Sequence, residues 1–187
     1  MKDKFWYDNG VKFPQPDNLL ELIFPEVIGA VITSDQMKNI NLCPITFQAI
    51  STKFETPPTV CIGLNNEHKT LSNILDTEQF VYAYPSKEQL KDIIYCGTET
   101  GNSTNKLINT SLNFSPSDSI NPPNLSEAII NFECILKHHY VAGNFTIVIG
   151  EITHINSNEE QENQKIYELG GMNYGTLRVD KILQEGR

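Results

Sequence analysis

Short β-branched runs separated by polar turns recur along most of the chain. Residues 27–33 (Val27, Ile28, Val31, Ile32) and residues 59–64 (Val60, Ile62, Leu64) are bounded by Gly, Pro or Asn and predict buried strands. Between them, residues 39–43 predict a strand whose ladder Pro44 interrupts, and residues 45–51 an extended continuation. Residues 79–84 predict a strand stopped by Pro85. The clearest alternation sets Ile130, Phe132, Cys134 and Leu136 against Asn131, Glu133 and Lys137, the pattern of a half-buried strand. Gly143-Asn144 then turns the chain, and residues 145–155 return with Phe145, Ile147 and Ile149 on one face, completing an antiparallel hairpin.

Helical spacing is confined to short stretches. Thr70 stands at an N-cap position ahead of Leu71, Ile74 and Leu75. Ser86 and Gln89 have capping-box spacing ahead of Leu90, Ile93 and Ile94. Residues 16–22 predict one or two helical turns and residues 1–15 a surface arm or edge strand. Residues 97–105, 115–126 and 156–164 read as connections, with a helical turn at 106–110. Six or seven strands with two short helices predict a mainly β protein, an antiparallel barrel in one domain over residues 1–187. Its core covers residues 24–155, with a peripheral arm and tail.

A length of 187 residues suits one core. The net charge of −9 speaks against nucleic acid, whose phosphates require clustered Lys and Arg. No apolar run reaches membrane-spanning length, and no apolar signal core follows Lys2-Asp3-Lys4, so a cytoplasmic protein is expected. Cys43, Cys61, Cys96 and Cys134 are widely spaced and predict reduced thiols. His138 and His139 point to opposite faces of a strand and cannot share a metal ion; His154 falls at no ligand spacing. Neither a glycine-rich nucleotide loop nor a Ser-His-Asp or Cys-His set is present.

Two stretches carry candidate binding chemistry. Asn41 and Thr46 flank the Pro44 kink, where an amide able to donate and accept suits the edge of a flat ligand. Local turn chemistry is the other reading of Asn41. Thr70, beside His68 and Lys69, opens a helix whose free N–H groups suit a phosphate; simple helix capping is the alternative, and both can hold together.

The order Val31-Ile32-Thr33, Asn41-x-x-Pro44-x-Thr46, Pro57-Pro58, Thr70-x-x-Asn73-Ile74 and Gly150-Glu151-Ile152 resembles flavin reductase-like proteins, in particular the flavoredoxin branch. The resemblance implies an FMN-binding split barrel. It implies that Thr33, Asn41, Leu42, Cys43 and Thr46 lie along the flavin and its ribityl chain. Thr70 and Asn73, with His68 and Lys69, would approach the phosphate. Lys106 either reaches the ligand or is an ordinary solvated lysine. The family's activity would pass electrons from NADH or NADPH through FMN to a flavin, protein or small-molecule acceptor, in a homodimer with the flavin near the subunit boundary. A non-catalytic flavin-binding module is the alternative. The chain departs from the family pattern at Cys43 (commonly Ala), Lys69 (Asp), Ala83 (Asn) and Asn144 (His).

Overall fold

The computed structural model describes residues 5–8, 11–14, 23–51, 57–158, 164–170 and 173–176. The expected helical turns at 16–22, most of the loop after residue 51 and part of that at 156–164 lie outside these residues. The arm forms a two-stranded hairpin, β1 (Phe5–Asp8) with β2 (Val11–Pro14).

The centre is a seven-stranded antiparallel sheet. Its strands are β4 (Gly29–Ser34), β5 (Ile40–Ile45), β6 (Gln48–Ser51), β7 (Thr59–Asn65), β8 (Gln79–Tyr84), β11 (Ile130–Ala142) and β12 (Phe145–Ser157). Their spatial order is β5-β4-β8-β11-β12-β7-β6. The two edge strands are therefore consecutive in the chain, joined only by Thr46 and Phe47. A connection that short spans about 10 Å, so the opposite edges of the sheet must come together. The sheet curls into a split barrel whose seam is the Pro44–Phe47 kink. Pro44 belongs to β5 and pairs in register with Ala30. It is tolerated because β5 is an edge strand, where a missing N–H removes no ladder bond.

Period-two alternation places side chains on two cores. Val31, Val60, Ile62, Phe80, Tyr82 and Phe132 fill one, together with Leu71 and Ile74 of helix α1 (Lys69–Thr77). Ile28, Ala30, Ile32, Leu42 and Val81 fill the other, with Ile93 and Cys96 of helix α2 (Leu90–Thr98). The first helix starts two residues earlier than expected, with His68 rather than Thr70 at the N-cap. Before α2, the Gln89 side chain accepts from the Ser86 backbone N–H at 3.0 Å. A small sheet of β3 (Glu26–Val27), β13 (Ile166–Gly170) and β14 (Asn173–Thr176) packs beside α2. Among the described residues no helix is long and apolar enough to cross a membrane.

The polar face of β11 departs from expectation: at Asn131 and Glu133 it is covered, and of the three polar residues only Lys137 is exposed. The connection read as irregular over residues 115–126, with Phe114 before it, folds over that face through β9 (Phe114–Ser115) and β10 (Asn124–Leu125). Glu133, 0 % exposed, anchors them. It accepts from the backbone N–H groups of Asp118 (2.9 Å) and Ser119 (2.7 Å), the Ser119 hydroxyl (2.7 Å) and Asn124 Nδ2 (3.0 Å). Asn131 exchanges hydrogen bonds with the Leu125 backbone at 2.9 and 3.1 Å.

Candidate functional site

Asn41 and Cys43 share the face of β5 that looks toward α1, and Thr33 is the cross-strand partner of Asn41. Two buried hydrogen bonds tie this face to the helix. Asn41 Nδ2 donates to Thr70 Oγ1 at 2.9 Å, and Asn73 Nδ2 donates to Thr33 Oγ1 at 3.0 Å. The four residues lock the N-terminal half of α1 onto the seam. Because the Thr70 oxygen accepts from Asn41, its own proton is left to donate, and the Cys43 sulfur is one acceptor within reach. Leu42, pointing the other way, is sealed in the second core, so only its backbone borders this face.

The start of α1 is suited to an anion. His68 makes no side-chain cap bond, and no acidic residue stands in the first turn. The N–H groups of Leu71 and Ser72 are taken by the His68 carbonyl. Those of Lys69 and Thr70 pair with nothing among the described residues, which leaves a positive helix end. The loop after α2 closes over it. Asn102 Nδ2 donates to the Glu67 carbonyl at 2.9 Å. Gly101 lies so close to Asn41 Oδ1 that a Cβ there would overlap it.

Lys106 is buried. Its Nζ donates to the carbonyls of Cys96 (2.6 Å) and Glu99 (3.2 Å), at the C-terminal end of α2. It braces a helix end and is not a solvated lysine. Cys43 Sγ lies 3.8 Å from His68 Nδ1. Burial pushes the thiol up, against the opposing pull of Lys106 and Thr70, so Cys43 is a neutral thiol and not a nucleophile. Burial, then the Lys106 charge, hold His68 below the usual histidine range, so its imidazole is neutral at pH 7. All four cysteines are free.

A groove of about 410 Å³ opens at the seam. One set of lining residues comes from the barrel: Ile45, Thr46, Phe47, Asn65, His68 and Phe145. The other comes from α2, the small sheet and the β3–β4 junction, including Ile93, Glu168 and Tyr174, with Ile28 at the junction. Sequence reasoning missed this second set, which lies far from the motif; the alternation of Ile166 and Glu168 along β13 was the available signal. Gly63 is required under the Phe47 ring, because a Cβ would overlap it. The dimensions suit a flat organic ligand. Apolar walls, polar groups at Thr46 and Asn65, and a positive helix end beside them form a donor set that fits a phosphate-bearing planar cofactor.

One expectation about histidine is corrected. His154, at no ligand spacing in the sequence, is brought 3.2 Å from Asp118 and beside Glu133. The four donors on Glu133 fill its oxygens, which leaves them unsuited to a metal ion.

The family model described as flavin reductase like domain matches residues 25–177. The fold is similar to three solved structures. The Pseudomonas fluorescens 2-nitrobenzoate 2-nitroreductase has a TM-score of 0.77 and 23% identity, covering 89% of this chain and 87% of that one. The flavoredoxin of Desulfovibrio vulgaris (Miyazaki F) has a TM-score of 0.75 and 19% identity, covering 87% and 91%. An FMN-binding protein from Thermus thermophilus, solved with p-hydroxybenzaldehyde, has a TM-score of 0.79 and 15% identity, covering 96% and 100%.

Proposed function

This chain belongs to the flavin reductase-like domain family, and on that premise we propose that it is an FMN-dependent oxidoreductase drawing electrons from NADH or NADPH. The carrying observation is the junction of the seam groove with the open N-terminus of α1: a flat ligand and a phosphate find complementary surfaces side by side. When bound, FMN supplies the hydride and electron transfer that no side chain here can perform. The chain's own residues bind and orient. Thr46, Asn65 and His68 border the ring region. The Lys69 and Thr70 N–H groups, with the Lys69 side chain, receive the phosphate. Asn41, Thr33 and Asn73 hold that helix end in place, the Leu42 and Cys43 backbone flanks the seam, and Lys106 steadies the loop that closes over it. Reduced, mostly buried thiols accord with a cytoplasmic setting.

The purified protein is expected to bind FMN more tightly than FAD, since one phosphate site is built and no adenosine site accompanies it among the described residues. Anaerobic addition of NADH or NADPH should bleach the bound flavin. Equal or tighter FAD binding overturns the cofactor assignment. Bleaching by dithionite but by neither nicotinamide leaves a flavin-binding module in place of an enzyme.

We also assign a homodimer. Phe47 (54 % exposed) and Phe145 (46 %) border the groove, and Tyr140 (70 %) and Val141 (60 %) are exposed on the two faces of the adjoining hairpin; a second copy would cover part of this apolar surface. The resemblance is what implies a dimer; the aromatic arm residues Phe5, Trp6 and Tyr7, which could add to such a contact, have side chains outside the described residues. Light scattering should show a dimer at micromolar concentration, and Tyr140→Asp should shift it toward monomer. A wild-type monomer with full flavin occupancy refutes the assignment.

A further inference from the structure

The groove has a lopsided electrostatic character. Among the described residues that line it, Glu168 is the one formally charged residue, and no lysine or arginine is among them. Its side chain is directed by the pleat. Ile166 and Glu168 lie on the same face of β13, Ile166 is sealed in the core against α2, and the cross-strand partner of Glu168 is Tyr174, which packs on that core. On its other side Glu168 is in register with Glu26 of β3. Like charges directly opposite across a strand pair repel, and none of the described ion pairs includes either carboxylate. The other titratable groups near the seam leave Glu168 uncompensated within the groove: His68 is neutral, Lys106 is committed to the carbonyls of Cys96 and Glu99, and Lys69, at the start of α1, is not among the described residues that line the groove. An arrangement that costs stability, with no ion-pair partner among the described residues, is not explained by the fold's own needs.

We propose that Glu168 sets the charge preference of the groove, so that the acceptor site takes small neutral or cationic aromatic compounds and rejects anionic ones. The proposal rests on the reading of the groove as a flavin site, with the ring along the barrel-side wall at Thr46, Asn65 and His68 and the acceptor against the other wall, at Glu168 and Tyr174, but its physical content concerns the groove alone. A carboxylate on an aromatic ligand would enter an apolar groove facing Glu168 with Glu26 behind it, and among the described residues that line the groove no cation would neutralise the pair. An amide of the same shape meets no such field, and a ring bearing positive charge is attracted. Burial, and then the Glu26 carboxyl, hold Glu168 above the usual carboxylate range, so the test is set at pH 8, where it is ionised.

The probes are 4-nitrobenzamide and 4-nitrobenzoate, isosteric and different in charge. Their equilibrium binding to the full-length protein is measured by calorimetry, with flavin bound and again without it. Wild type is expected to bind the amide at least fivefold more tightly than the acid. Glu168→Gln, which keeps shape and hydrogen bonding, should narrow the gap to less than twofold by tightening the acid and leaving the amide unchanged. Glu168→Asp should retain the gap. Equal affinities in wild type overturn the proposal, and so does a gap that persists in Glu168→Gln. Because binding is read without turnover, a protein that takes no flavin would sink the proposed function while the charge preference is still decided on the flavin-free protein.

Discussion

Glu133→Ala is expected to lower folding stability by about 3 kcal/mol or more, a large share of the roughly 5–15 kcal/mol that holds a domain together. The Glu133 carboxylate is buried and takes four hydrogen bonds from the segment that covers β11. Bonds to a charged acceptor are each worth about 1.5–3 kcal/mol, and truncation leaves the buried donor of Asn124 and the backbone donors of Asp118 and Ser119 without acceptors. The same residue makes the protein acid-sensitive. Burial pushes its carboxyl up, but the hydrogen bonds from Asp118, Ser119 and Asn124 outweigh this and hold it below the usual range. A group with a depressed folded value stabilises the protein above its unfolded value, about 4.3 for Glu, and loses that contribution as pH falls through the folded value. Urea denaturation at pH 7 and at successively lower pH would follow both effects. A loss under 1 kcal/mol at pH 7, or an acid limb unchanged in Glu133→Gln, would show that the covering segment is held by its apolar contacts instead.

Thr70→Val should weaken FMN about tenfold, near 1.4 kcal/mol, while leaving riboflavin within about twofold. Valine keeps the shape but removes both the acceptor for Asn41 Nδ2 and the hydroxyl proton at the helix end. Riboflavin has no phosphate and does not use that end. Asn41→Leu breaks the same hydrogen bond from the other side and also alters the surface beneath Gly101. It should weaken FMN at least as much. Flavin fluorescence titration of the two variants with both ligands reads the ratio directly. An identical loss for FMN and riboflavin would mean that the Asn41–Thr70 pair shapes the ring region and not the phosphate end.

Much of this molecule was determined locally. The strands over 79–84 and 130–136, the hairpin turning at Gly143 and the apolar stripes of both helices follow from spacing within a few residues, and each is where that spacing predicts it. The motif order led to the family and to the seam residues, and alternation along β5 already separates Leu42 from Asn41 and Cys43. Only the tertiary structure decided which groups meet. Asn41 finds Thr70 across 29 residues, and Thr33 finds Asn73 across 40. Lys106 is committed to the end of α2, and Glu133 turns an irregular stretch into a lid over β11. Glu168 reaches the groove because β13 returns to β3 from the far end of the chain. Periodicity is a property of neighbours along the backbone, whereas a buried polar group takes whichever distant partner the folded sheet brings within hydrogen-bonding distance. For the same reason Pro44, an interruption when read alone, is in the fold an ordinary edge-strand residue: the seam at which the barrel splits is set by the pairing of seven strands.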